Sequence, residues 1–158
     1  MKNYKQQKGI GMIEVIVSLA VITTAFWGFL ELAKFGLKIQ EESQAKIEAS
    51  GLASETIEAV RAARDENWDN LANLSFETRY YPIISENKWT LTPTNPGSIN
   101  GIYDRWFVLE RVYRDANDNI GSLGAEDFLT KKITATVEWN NREKTEQINL
   151  TTYLTNWK

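Results

Sequence analysis

A single acidic residue, Glu14, lies within a long apolar stretch near the N-terminus. Residues 10–30 contain no other charged side chain. A charged residue at the centre of a membrane-spanning helix costs about 2.5 to 3.5 kcal/mol to insert, so Glu14 marks a candidate functional site that needs a cationic partner. Because Glu14 lies close to one end of the stretch, the alternative is that its carboxylate reaches back to the lipid headgroups.

A second group of oxygen-bearing side chains partly imitates a calcium-binding loop. The first, third, fifth and twelfth positions of this segment are Asp115, Asn117, Asn119 and Glu126. Calcium prefers carboxylate and amide oxygens, which these residue types supply. The sixth position is Ile120, however, where an EF-hand loop needs glycine. We therefore favour a polar loop between two strands, with calcium as the alternative, and we predict no other cofactor.

The composition excludes several kinds of catalytic and metal site. The 158 residues include no cysteine and no histidine, which rules out thiol nucleophiles, imidazole bases and Cys/His zinc sites. No nucleophile elbow, phosphate-binding loop or pair of carboxylates stands out, so we predict that the chain is not an enzyme.

The charge balance argues against a nucleic-acid partner. The formal net charge is −3, from 18 basic and 21 acidic residues. Residues 1–9 hold three of the basic residues and none of the acidic ones, so the rest of the chain carries 15 positive and 21 negative side chains. Phosphate binding depends on clustered lysine and arginine, and we therefore predict no nucleic-acid binding.

The aromatic residues suggest one further alternative. Six tryptophans and six tyrosines could form a stacking surface for carbohydrate or single-stranded DNA. Most of them fall at strand positions that favour burial in a core. Tyr80, Tyr81 and Trp89 are the best candidates for exposure.

The apolar stretch sets the organisation of the chain. Residues 10–30 are long enough to cross the hydrocarbon core of a bilayer as a helix, which needs about 20 apolar residues. Lys2, Lys5 and Lys8 precede the stretch and predict a cytoplasmic N-terminus, with the bulk of the chain on the other side. A cleaved secretory signal is disfavoured because the apolar run continues past the small residues that could form a cleavage site.

Residues 31–64 are predicted to continue as an amphipathic helix, because apolar residues recur there at helical spacing. The residues of this stripe are Leu32, Phe35, Ile39, Ala53, Ile57 and Val60. We expect the lower part of the stripe to continue the packing of the span, and residues 53–60 to cover a sheet.

Residues 65–158 are predicted to form a globular domain built on an antiparallel sheet. Apolar and polar residues alternate along several segments, which is typical of strands with one covered face. The predicted strands are residues 76–84, 88–92, 106–114, 132–139 and 146–157. A helix followed by consecutive strands predicts an α+β fold in which the helix packs on the sheet.

The residues around Glu14 resemble the N-terminus of prepilins of the type IV pilus and type II secretion families. The order Lys8-Gly9-Ile10-Gly11-Met12-Ile13-Glu14 combines a basic leader that ends in glycine, an apolar span and an acid at a fixed offset. In these families a membrane peptidase cuts after the glycine, the new N-terminal residue is methylated, and a glutamate stands fifth in the mature chain. The resemblance therefore implies processing between Gly9 and Ile10, a class III leader over residues 1–9, and an assembly role for Glu14. Ile10 is a departure, because phenylalanine or methionine is commoner at that position.

The resemblance also implies a fold, a set of partners and a location. It implies the pilin fold and a structural subunit that serves adhesion, motility, DNA uptake or protein secretion. The subunit would be closer to minor pilins and pseudopilins than to a major pilin. The implied partners are other pilin subunits, the prepilin peptidase, the inner-membrane assembly platform and the membrane, with the C-terminal domain outside the cytoplasm and finally on a pilus or the cell surface. The alternative is a single-span, membrane-anchored extracellular binding domain that does not polymerise.

Overall fold

The computed structural model describes residues 11–141 and 144–157 of the chain. Its first element is α1, Met12–Glu66, a continuous helix of 55 residues. The first proline of the chain is Pro82, so no proline removes a hydrogen-bond donor from this helix. The predicted span and the predicted amphipathic helix are therefore parts of one secondary-structure element.

The chain divides into two compact units, residues 1–43 and residues 44–158. In the first unit the described residues form only the beginning of α1. The second unit contains the end of α1, a short helix α2 and all the strands. Helix α2 is Asp69–Ala72, and the strands are β1 Arg79–Ser85, β2 Lys88–Thr92, β3 Tyr103–Arg114, β4 Ile120–Gly121, β5 Ala125–Asn141 and β6 Lys144–Thr155.

The strands form a sheet in the order β2-β1-β3-β5-β6, and β4 pairs with β3. All the strand pairs are antiparallel. Sequential hairpins explain most of this order, because neighbouring antiparallel strands need only a short connection. Together with the long helix, the sheet confirms the predicted α+β fold class.

Residues 44–66 of α1 cover one face of the sheet. The helix residues buried there are Ala49, Ala53, Thr56, Ile57, Ala59, Val60 and Ala63. Ile57, Val60 and Ala63 pack in one core cluster with side chains from β3 and β5, such as Phe107 and Ile133. The prediction that residues 53–60 cover the sheet is thus confirmed, and the small alanine side chains allow the helix to approach the strands closely.

Polar contacts also join this part of α1 to the sheet. Arg105 Nη1 lies 2.9 Å from Glu55 Oε1, and the hydroxyl of Tyr103 donates a 3.1 Å hydrogen bond to Glu48 Oε2. The pKa of Tyr103 is raised, mainly because the side chain is buried and secondly because it donates this hydrogen bond to Glu48. These contacts fix which face of the helix meets the strands.

The β1–β2 hairpin turns at Glu86 and Asn87, whose φ angles are 52° and 63°. Two consecutive residues with positive φ are typical of the type I′ turn that suits the twist of a hairpin. Ser85, which pairs with Lys88, is the last residue of β1 before this turn.

The region after Arg114 differs from the predicted loop. The β3–β5 ladder resumes after a register shift, with Tyr113 opposite Glu126 and Arg114 opposite Ala125. The shift leaves extra residues on β5, and these interrupt the alternation of apolar and polar side chains. For this reason the alternation did not predict the first part of β5 as a strand.

Two of the three candidates for an exposed aromatic stacking surface are buried. Tyr80 and Tyr81 are only 7% and 8% exposed. The ring of Tyr80 lies 5.9 Å from that of Phe107, and its hydroxyl accepts a 2.9 Å hydrogen bond from the backbone N–H of Ser75. Trp89 is half-buried, so these three residues do not form an open stacking surface.

Candidate functional site

Glu14 lies in the first turn of α1, where its backbone N–H donates a 2.9 Å hydrogen bond to the carbonyl of Gly11. A negative charge is favourable at this end of a helix because the backbone N–H dipoles point towards it. Its carboxylate is exposed and forms no ion pair or hydrogen bond with the residues that the structure describes. The predicted processing residues Gly9 and Ile10 lie outside the described residues.

The surface of α1 around and beyond Glu14 is apolar and uncovered. An 18-residue window of this helix has a mean hydropathy of 2.0, and none of it is buried within the chain. The helix is thus long and apolar enough to cross a membrane. Its exposed large side chains in the predicted span are Met12, Ile13, Val15, Ile16, Val17, Leu19, Val21, Ile22, Phe26, Trp27, Phe29 and Leu30.

The few hydroxyl groups of this stretch are satisfied within the helix. Ser18 Oγ donates to the carbonyl of Glu14 at 2.7 Å, and Thr24 Oγ1 donates to the carbonyl of Ala20 at 2.9 Å. Thr23 donates in the same way to Leu19 at 2.9 Å. Such internal bonds remove the need for water and suit an apolar environment.

The apolar surface continues past the predicted span into a charged region. Leu32, Phe35 and Ile39 are exposed, as part of the stripe that the sequence predicted. Ion pairs form beside them, at 2.8 Å between Lys34 and Glu31 and at 3.8 Å between Lys38 and Glu42. Exposed pairs of this kind contribute little to stability, so the apolar residues beside them determine what this surface can bind.

The candidate calcium segment is organised by its own hydrogen bonds. Asp115 Oδ1 accepts bonds from the backbone N–H groups of Asn117 and Asn119, at 2.8 and 2.9 Å. Hydrogen bonds from the backbone and side chain of Asn119 hold the pKa of Asp115 below its usual range. The structure therefore brings the first, third and fifth predicted positions together.

Glu126, the twelfth position of the predicted calcium loop, has a different partner. Its carboxylate lies 3.7 Å from the guanidinium of Arg111. Within residues 11–141 and 144–157, no group of three or more acidic side chains is arranged to hold a metal ion. Calcium binding by Asp115, Asn117, Asn119 and Glu126 stays an untested prediction.

Two exposed apolar residues were missed by the sequence analysis. Phe128 and Leu129 lie in the extra residues of β5 and are 70% and 57% exposed. Asp127 fixes the conformation of this segment. Its carboxylate accepts hydrogen bonds from Arg114 Nε at 2.7 Å and from the backbone N–H of Leu129 at 3.0 Å. The hydrogen bond from Arg114 lowers the pKa of Asp127. The sequence signal for these exposed residues is that two large apolar side chains, Phe128 and Leu129, stand next to each other, whereas apolar and polar side chains alternate along the rest of the strand.

Comparisons of the chain with protein-family models, with curated proteins and with solved structures found no match. The resemblance of residues 8–14 to prepilins therefore stays a proposal.

Proposed function

We propose that the chain is a structural subunit of a type IV pilus or pseudopilus and that it polymerises through α1. The observation that carries this proposal is the long apolar surface of α1, which the chain's own sheet does not cover. Burial of apolar area contributes about 25 cal/mol per Å², so a surface of this size favours contact with lipid or with other helices. A subunit that moves from a membrane into a filament uses both environments in turn.

Glu14 determines, in this proposal, which helix packs against the apolar surface. A carboxylate packed among apolar helices is costly unless a cation neutralises it. Cleavage after Gly9 creates such a cation, the α-amino group of Ile10, which methylation leaves basic. We propose that the amine of one subunit pairs with Glu14 of the next and sets the register of the helices.

The same proposal implies an orientation of the protein in the membrane. The lysines of the leader hold the N-terminus in the cytoplasm, and the sheet domain lies on the opposite side of the membrane. The partners are other pilin subunits, the prepilin peptidase and the inner-membrane assembly platform. The sheet domain then takes the pilin fold, and the subunit belongs with minor pilins or pseudopilins.

The first test is the intact mass of the protein isolated from its native membrane. We expect a mature chain that begins at methylated Ile10. A chain that retains residues 1–9 would contradict the proposal and favour the membrane-anchored binding domain that does not polymerise.

The second test replaces the proposed assembly residue. Glu14→Leu should insert into the membrane normally but enter filaments at least about tenfold less, because the neighbouring amine is left buried without its partner. Glu31→Leu is the matched control, since Glu31 lies beyond the span in an exposed ion pair with Lys34. Equal assembly of the two variants in a sheared-filament assay would show that Glu14 has no such role.

A further inference from the structure

A cavity of about 290 Å³ lies at the C-terminal end of α1, where it is lined by residues 64–69 and 155–157. The first range is the last turn of α1 and the turn into α2, and the second is the end of β6 with the two residues after it. Both ranges belong to the compact unit formed by residues 44–158. Sites for small ligands have volumes of about 300 to 1,000 Å³, so this cavity has the size for a small ligand.

Two tryptophans supply the apolar part of the lining, Trp68 and Trp157. Trp68 is half-buried and packs against the core between α1 and the sheet, which fixes its position. Trp157 is 66% exposed, so most of the surface of its side chain is accessible. An indole ring has a flat apolar face on which another apolar face can stack. The cavity therefore has an aromatic wall for part of a ligand.

The other seven lining residues all have polar side chains. Arg64 Nη2 lies 2.8 Å from Asp65 Oδ1, and Glu66 Oε1 is paired at 2.6 Å with Lys88 Nζ from outside the lining. The carboxylate of Asp69 has no ion-pair partner within residues 11–141 and 144–157. Three acidic and two basic side chains thus leave a small net negative charge around the cavity.

This lining disfavours two kinds of ligand. A wholly apolar ligand would remove the polar side chains from water without offering them hydrogen bonds, which is unfavourable. A polyanion such as single-stranded DNA would meet a net negative charge, although it needs clustered lysine and arginine. A ligand that fits the cavity therefore has many uncharged hydrogen-bonding groups together with an apolar face.

We propose that this cavity binds a neutral saccharide unit of a glycan. The hydroxyl groups at the edge of a sugar ring both donate and accept hydrogen bonds, while the C–H groups on its faces stack on aromatic rings. Asp69 accepts hydrogen bonds from the hydroxyl groups, and the side-chain amides of Asn67 and Asn156 donate to them. Trp68 and Trp157 contact the C–H groups. This inference does not depend on polymerisation through α1.

The first test applies the labelled full chain to an array of neutral, basic and acidic glycans. The detergent is zwitterionic, because a detergent with a sugar headgroup would compete for the cavity. We expect binding to neutral glycans and none to glycans that end in sialic or uronic acid. Binding of the tightest neutral glycan should change by less than about twofold between about 50 and 500 mM salt, since no charge is neutralised. Binding of no glycan, or of acidic or basic glycans alone, would overturn the proposal.

Variants of Trp157 locate the site. Trp157→Ala should weaken binding of that neutral glycan by about tenfold or more, since a large aromatic contact commonly supplies much of the binding energy. Trp157→Phe keeps an aromatic face and should restore most of the affinity. Phe128→Ala is the matched control, because Phe128 is 70% exposed but does not line the cavity. This control should change the affinity by no more than about twofold.

The carboxylate of Asp69 provides an independent test. Asp69→Ala removes the acceptor for the sugar hydroxyl groups and should weaken binding by about fivefold or more, since hydrogen bonds to a charged group are stronger than neutral ones. Circular dichroism and thermal melting check that each variant is folded. If Trp157→Ala lowers the melting temperature and Trp157→Phe does not restore binding, Asp69→Ala decides, and unchanged binding by this variant would overturn the proposal.

Two further outcomes would reject the cavity as the site. Equal binding by the wild-type chain and by Trp157→Ala would show that the glycan binds elsewhere. Equal loss in Trp157→Ala and Phe128→Ala would show that exposed aromatic side chains bind the glycan without any need for the cavity.

Discussion

The two parts of α1 belong to one continuous helix but have different surroundings. Residues 12–41 are exposed along their whole circumference and carry large aliphatic and aromatic side chains. Residues 44–66 bury one face against the sheet, and four of the seven buried residues are alanine. Small side chains bring the second part close to strands of the same chain, whereas the large side chains of the first part are exposed in the part of the chain that the structure describes. The two parts therefore differ in the size of their apolar side chains as well as in their burial.

The largest expected difference between the two parts comes from removing a phenylalanine. Phe107→Ala takes away a fully buried ring beneath residues 44–66 and should lower the free energy of unfolding of the sheet domain by about 3 to 5 kcal/mol. Phe26→Ala makes the same change in the uncovered part and should leave that free energy unaltered. Chemical denaturation monitored by tryptophan fluorescence measures both, and equal effects would contradict the separation of the two parts.

Glycine replacements should have opposite signs in the two units. Gly124 has a φ of 140°, and a Cβ atom there would clash with the carbonyl oxygen of Arg114, so Gly124→Ala should destabilise the sheet domain by about 1 to 3 kcal/mol. Gly36→Ala meets no atom within 4 Å and should favour the helix by about 1 kcal/mol. Thermal melting checks the first variant, and helix content by circular dichroism checks the second. Destabilisation of the isolated chain by Gly36→Ala would show that this surface is already covered.

The smallest expected effect is the response of the sheet domain to acid. Hydrogen bonding to Lys132 lowers the pKa of Glu110, and hydrogen bonding to Arg114 lowers that of Asp127, from usual values of 4.5 and 3.8. The unfolded chain therefore takes up protons before the folded domain does, and stability present above about pH 4.5 should fall as the pH drops through the lowered values. Denaturation midpoints between pH 3 and 7 measure this loss. Glu110→Gln together with Asp127→Asn should flatten the profile, and an unchanged slope would assign the loss to other carboxyl groups.

The sequence predicted the elements whose side chains follow a simple period. The stripe of Ala53, Ile57 and Val60 identified the covered face of the helix, because one helical face and one sheet face must be apolar to pack together. The strand β2 was predicted with its observed bounds, Lys88–Thr92. Prediction was poorer at β4 and the first part of β5, since the extra residues around Asp127 interrupt the alternation.

The candidate sites depended more on tertiary structure. The types and spacing of Asp115, Asn117, Asn119 and Glu126 suggested one ligand group, yet the fold directs Glu126 to Arg111 across the β3–β5 ladder. Tyr80 and Tyr81 were candidates for an exposed stacking surface, the alternative that the sequence left open, but both are covered in the folded domain. Side-chain type shows which groups can interact, while the register of distant strands decides which of them meet.

The sequence by itself determined the α+β class, the apolar helix with its lone acid at Glu14, and the absence of thiol and imidazole chemistry. These properties follow from residue type and local spacing, which need no knowledge of distant contacts. Only the tertiary structure decided that the covered part of α1 begins as early as Ala49, that Asp115 is engaged by its own loop, and that β6 lies at an edge of the sheet. Strand order brings together residues far apart in the chain, and the local pattern of each strand contains no information about its neighbours.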